Sequence, residues 1–201
     1  MKAWEIVTGC ERLTPGCDNC PTYWDYKEKG MDYHPIFHMD RLRDPYEMVG
    51  PATVVVAPGS DLLHEAITYK HILAAAAVME ENHDLVFELG TKRAERLGAL
   101  QFMWPDNVMV GIPVEESKYK WRIDILRDDV QAKHKMISFG PMTGRVGKVD
   151  LSGIEAAGVV VETWGPNPRY VPQSWVDEVK DQCLEQGVRY IEQHWVSEEI
   201  I

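Results

Sequence analysis

Basic residues are in short supply: 21 Lys and Arg stand against 32 Asp and Glu, for a formal net charge of -11. Proteins that coat nucleic acid carry the opposite balance, so a general coating role is excluded. Long hydrophobic runs are also missing, and no stretch approaches the roughly 20 apolar residues of a membrane helix. The opening MKAWEIVTGCERL lacks the apolar core of a secretory signal, so the expectation is a cytoplasmic protein with no membrane partner. Repeats and low-complexity segments are absent, which leaves the 201 residues as one ordinary domain with a full core. Cysteine is sparse and uneven: of four, Cys10, Cys17 and Cys20 crowd into one short window and Cys183 stands alone. A disulfide framework spreads its cysteines along a secreted chain, whereas clustered thiols in a reduced compartment point to metal binding or redox chemistry.

What the chain does have is a recurrence of short apolar, β-branched runs with helical patterns between them. Strands are predicted over 4–8, 52–57, 85–89, 108–113, 135–139, 158–163 and 188–191, where TVVVA, VMVGI and GVVVET read as strands buried on both faces. Helices are predicted over 61–81, with Asp61 as cap, and over 94–102, 117–129 and 174–186. Alternation of this kind builds βα units and a parallel sheet. Six or seven units suit an open or incomplete barrel better than the roughly 250 residues of a full eight-unit one. A doubly wound sheet is the alternative.

In parallel α/β folds the chemistry lies at the carboxyl ends of the strands. The residues expected on that rim are the cysteine loop, Pro58 to Asp61 with His64, Gly90 to Arg93, Glu115 with Glu116, Gly140 to Met142, and Trp164 to Asn167. The cysteine loop reads GCERLTPGCDNCPTYW, with spacing C-x6-C-x2-C. Three thiolates on one loop can hold three corners of a [4Fe–4S] cluster and leave the fourth iron open for a substrate or cofactor. Zinc is the rival, with His34 or His38 completing a Cys3His set. Cys183 recurs with Trp175 and Val179 at four-residue intervals in a helical pattern and reads as core.

The segments TGC, TPGCDNC, SDLLHE, TKRAERL, WPDNVMVGIPVE, RIDILR and DQCLEQGVRYIEQHW together resemble, in order and nearly end to end, a phage and mobile-element protein family related to radical S-adenosylmethionine (SAM) enzymes. The resemblance implies a partial (β/α)6 radical SAM-type barrel as a single domain, with the cluster loop at 9–24. It implies a [4Fe–4S] cluster on Cys10, Cys17 and Cys20, SAM on the open iron, an external electron donor, and a 5′-deoxyadenosyl radical that abstracts hydrogen from substrate. The protein would supply position and exclusion of water. The sequence departs from the family pattern at Pro21, which replaces a Tyr, at Gly140, which replaces a Glu, in 161–165, and in the closing EQHW of 192–195.

Set against that resemblance, His64 and Lys92 are the candidate catalytic residues, and Ser60, Asp61, Thr91, Glu115 and Arg127 the candidate cofactor-binding ones. Each also has a plain structural reading. Ser60 or Asp61 caps a helix, and Arg122, Asp124 and Arg127 form helical surface pairs. Lys92 and Arg93 at a helix start favour an anionic ligand, because cations are otherwise unwelcome there. Charge is uneven as well. Residues 118–148 hold eight Lys or Arg against three acids, whereas 149–201 hold ten acids against three bases. A basic face of this kind suits a phosphate backbone. With the phage setting, it suggests radical rearrangement of a substituent on a DNA base, reached by flipping or in a single strand. The competing class is a noncatalytic iron–sulfur or zinc protein that binds DNA as an accessory.

Overall fold

A computed structural model describes residues 1–192; segment 193–201, which holds most of the EQHW departure, lies outside the described residues. The elements are β1 (Lys2–Trp4), β2 (Val7–Thr8), α1 (Pro21–Glu28), β3 (Ile36–Phe37), β4 (Ala52–Val56), α2 (Tyr69–Glu81) and β5 (Leu85–Gly90). They continue with α3 (Ala94–Gly98), β6 (Val108–Pro113), α4 (Trp121–Asp128), β7 (His134–Phe139), β8 (Ala156–Val159), α5 (Gln173–Glu185) and β9 (Arg189–Ile191). Seven strands form one sheet in the order β1-β4-β5-β6-β7-β8-β9, every neighbour parallel. The order never reverses. A doubly wound sheet has a switch point where it does, so that alternative is set aside.

Burial of the first strands is one-sided, whereas β8 is buried at every residue. In β5, Leu85, Phe87 and Leu89 are buried, while Val86, 49% exposed, shares the opposite face with Glu88 and Gly90. Register carries the same alternation across the sheet: Val55 lies beside Glu88, Glu88 beside Met109, Gly90 beside Gly111, and Gly111 beside Met136. The buried face packs on the apolar stripes of the helices. In α2, Ile72, Ala75, Ala76 and Met79 recur at the i, i+3, i+4, i+7 spacing of an amphipathic helix. Ile123 and Leu126 of α4 and Val179 and Cys183 of α5 join the same core. The expectation of strands buried on both faces holds for β8, buried at every residue, and is corrected for β4 and β5. The inner face carries Val55, Met109, Gly111 and Met136, so the sequence looks continuously apolar although that face lines an open cavity.

Several elements differ from expectation, among them α3, which ends at Gly98, and α4, which begins at Trp121. α2 begins at Tyr69 with Thr68 as its cap, not at Asp61, because the Asp61 carboxylate is taken by tertiary partners described below. The first predicted strand splits in two. β1 joins the large sheet, and β2 pairs antiparallel with β3, Val7 opposite Phe37, so that a short ribbon closes the base of the cysteine loop. The chain leaves β8 at Val159, and Glu162 turns toward the cysteine loop instead of extending the strand. Helix α1 was not foreseen because none of its residues is buried and it shows no apolar stripe; Pro21 opens it directly after Cys20.

One-sided burial has a measurable consequence. Phe87→Ala is expected to lower the unfolding free energy by roughly 3–5 kcal/mol in denaturant melts, and Val86→Thr by no more than about 0.5 kcal/mol.

Candidate functional site

Cys10, Cys17 and Cys20 are all half-buried free thiols on the wall of one cavity of about 360 Å³. The same wall carries Ser60, Asp61, Thr91, Lys92 and Arg93 from the strand ends, together with Pro141 and Trp164. The shared rim expected from the strand ends therefore exists, and it closes over the inner face of the sheet.

Glu115, at the end of β6, anchors the cysteine loop. It is 0% exposed and accepts hydrogen bonds from Thr14 Oγ1 at 2.6 Å and Lys92 Nζ at 2.5 Å, with Arg122 Nη1 3.6 Å away. Gly16 lies so close that an added Cβ would sit 2.0 Å from Glu115 Oε1, so no side chain is tolerated there. Lys92 Nζ also reaches Cys17 Sγ at 3.2 Å. Burial raises the Cys17 thiol, but Lys92 and two backbone N–H groups outweigh it and hold the thiol below its ordinary range. Burial lowers the Lys92 ammonium, yet Glu115 and Cys17 together keep it above its usual value, hence charged.

A second buried group serves Cys10. Asp61 accepts from Thr91 Oγ1 at 2.9 Å, from Arg93 Nη1 at 2.8 Å and from the Leu63 N–H at 2.9 Å. Arg93 also donates to Glu65 at 2.7 Å. The anion that Lys92 and Arg93 attract is thus the protein's own carboxylates. Burial, with Asp61 adding to it, pushes the Cys10 thiol up to about 11 against the pull of Arg93. Ser60 Oγ donates to the Gly9 carbonyl and ties the loop after β4 to the residue before Cys10. Gly9 itself has φ +74° and lies against the His34 carbonyl, where a Cβ would clash at 2.0 Å.

Residues not singled out by sequence complete the loop. Tyr33 Oη lies 3.9 Å from Cys20 Sγ and donates to the Gly59 carbonyl at 2.8 Å, and its ring packs edge-on against Tyr23 and Tyr26. Buried Glu162 accepts from Asn19 Nδ2 at 2.8 Å and from Arg169, whose Nη1 donates to the Pro15 carbonyl at 2.8 Å. This clamp crosses more than 140 residues of chain, which no local pattern reveals.

Three candidate residues fall outside the cavity wall, the first being Glu115, which is fully buried against Thr14 and Lys92 beneath the cysteine loop. His64 is buried behind Asp61, its Nδ1 accepting from the Ala66 N–H at 3.0 Å, and burial and Arg93 lower its pKa. It is a neutral imidazole that shapes the turn and does not line the cavity. Arg127 lies at the far end of α4, paired with Asp124 at 2.7 Å and Asp128 at 2.9 Å, and the Lys135 ammonium at the start of β7 donates to its carbonyl. The helical-pair reading of Arg127 replaces the cofactor-binding one. Of the two histidines considered for zinc, His38 Nε2 lies 2.7 Å from Thr8 Oγ1, and His34 is 85% exposed beside Asp32. Among the described residues no three His, Cys, Asp or Glu side chains are arranged to hold a single metal ion.

The basic stretch loses most of its free charge on folding. Lys118, Lys133 and Arg145 pair with Glu116, Asp106 and Glu178, Arg127 with its own helix's acids, and Arg122 is buried beside Glu115. Carboxylates outside the 118–148 window supply most of this neutralisation. Among the described residues no helix is long and apolar enough to cross a membrane.

The fold and site define an α/β protein whose parallel sheet holds an open cavity on one face, with a cysteine loop at its mouth. The chain belongs to the family described as protein of unknown function DUF5131, whose model matches residues 1–199. No curated protein and no solved structure matches it.

The unequal surroundings of the thiols are testable in metal-free protein. A lowered pKa means a larger thiolate share near neutrality, and thiolate is the form that alkylates. With iodoacetamide at pH 7.5 and mass-spectrometric mapping, Cys17 should label well before Cys10, and Lys92→Met should remove most of that lead.

Proposed function

We propose that the protein is a radical SAM enzyme built as a partial (β/α) barrel. It would carry a [4Fe–4S] cluster on Cys10, Cys17 and Cys20 and act on a small substrate held against the inner face of the sheet. The observation that carries this reading is the convergence of three thiols from one loop at the mouth of a single cavity, with Arg93 able to donate to Cys10, Lys92 to Cys17, and the Tyr33 hydroxyl beside Cys20. Hydrogen bonds to the sulfurs are among the features that tune such clusters. The donor set, three thiols with no histidine turned toward them, suits a cluster with one open iron better than a closed four-ligand zinc site.

When bound, the cluster and SAM together supply a 5′-deoxyadenosyl radical. The rest falls to the chain. Lys92, held by Glu115, favours the thiolate of Cys17 and fixes the loop to β5 and β6. Ser60, Asp61, Thr91, Lys92 and Arg93 line the cavity wall and are the residues that would hold SAM. Trp164 and Pro141 cover the far edge and help to keep water out. The nucleobase substrate suggested by the resemblance would enter as a nucleoside or a flipped base. The paired cations of 118–148 leave little free charge for a duplex.

Anaerobic reconstitution tests the reading. About four iron and four sulfide per chain, with 5′-deoxyadenosine formed from SAM on reduction, are expected. Cys17→Ala should lose both while melting within a few degrees of wild type. Colourless protein with one tightly held zinc, or a Cys17→Ala chain that fails to fold, would favour a structural metal instead.

A further inference from the structure

Beneath the rim, the inner face of the sheet carries one carboxyl that no part of the mechanism uses. Glu88, in the middle of β5, lines the cavity between Val55 and Met109 of the neighbouring strands, and Met136 lines the same wall. Among the described residues its carboxyl accepts no hydrogen bond and forms no ion pair. Burial raises its pKa, opposed by Arg189 of β9, whose own guanidinium is turned to Glu155 at 3.5 Å. A half-buried carboxyl among apolar neighbours costs free energy unless something pairs with it.

The space above it is open. Gly90 is the next inner-face residue toward the rim, about 7 Å along the strand, and a Cβ there would meet nothing within 4 Å. Gly111 lies beside Gly90 in register. The Met136 side chain fills the space over Gly111, 2.8 Å from where a Cβ would sit, so the opening that leads from Lys92 and Cys17 at the rim down to Glu88 runs over Gly90. Near the rim the cations already have carboxylate partners in Glu115 and Asp61, whereas at the bottom an acid lacks its cation.

We propose that Glu88 is a substrate-binding residue that pairs with a protonated amine, so that the substrate class is a small cationic amine entering amine-first over Gly90. The placement of this site relative to the thiols rests on the radical SAM reading; the amine site itself does not. A carboxylate–ammonium pair in such surroundings is worth roughly a tenfold to hundredfold difference in affinity, enough to select among substrates of equal size.

The test uses n-butylammonium and its neutral counterpart n-butanol, which are small enough to enter whatever else the natural substrate carries. Binding is followed by NMR on protein labelled with carbon-13 at the glutamate carboxyls, both as purified and after loading with cluster and SAM. Butylammonium should shift the Glu88 carboxyl signal in wild type and bind at least tenfold more weakly to Glu88→Gln, while butanol binds both alike. SAM affinity should stay within twofold in the variant. Equal binding of amine and alcohol, an amine preference that survives in Glu88→Gln, or no amine binding at all overturns the assignment. A variant that loses SAM instead also overturns it, by giving Glu88 to the cofactor's sulfonium. If the amine binds through Glu88 but no cluster assembles, the amine site stands and the radical SAM reading falls. If the cluster and SAM cleavage appear without amine selection, the reverse holds.

Discussion

A fully buried carboxylate cannot remain uncompensated, and Glu115 shows how much of this molecule follows from that requirement. An unpaired charge removed from water costs several kcal/mol. Lys92 from the end of β5, Arg122 from α4 and the Thr14 hydroxyl from the cysteine loop therefore gather on it. The gathering brings Gly16 against the carboxylate, Lys92 against Cys17 and the loop across the end of the sheet. Asp61 does the same on the other side with Arg93 and Thr91. The thiols are placed by these two acids more than by apolar contacts of their own.

The second organising fact is that the middle of the sheet buries one face and opens the other onto the cavity. Helices α2 to α5 follow a strand order that never reverses, and the single buried face packs on their stripes. Everything that looks chemical lies on the opposite side or at its rim. The inner face is lined with small and flexible residues, Gly90, Gly111 and Met136, as suits a surface meant to hold a molecule rather than a core. Sheet and cysteine loop are joined at the other edge by the Asn19–Glu162–Arg169 clamp, which closes the mouth from the β8 side.

Electrostatics changes meaning between chain and fold. Counted along the sequence, 118–148 is a basic segment; in three dimensions its cations meet Glu116, Asp106, Glu178 and Glu115. Lys92 and Arg93, read in sequence as waiting for an anionic ligand, are largely satisfied by the protein. What remains uncompensated is an acid, Glu88, in a place where sequence inspection shows only the second letter of an apolar FELG run.

Sequence by itself determined the parallel α/β class, the approximate position of most strands of the large sheet, the cysteine loop and most of the rim. These depend on periodicity and on the rule that strand ends carry chemistry, both local properties of the chain. It did not determine which face of each strand was buried, because valine, methionine and glycine on the inner face look like core. Nor did it show that Asp61 caps no helix, that His64 and Arg127 stand away from the cavity, or that Glu162 and Tyr33 belong to the loop. Those were decided by tertiary structure alone, since a carboxylate or guanidinium takes whichever partner folding brings within about 3 Å, and those partners lie tens of residues away along the chain.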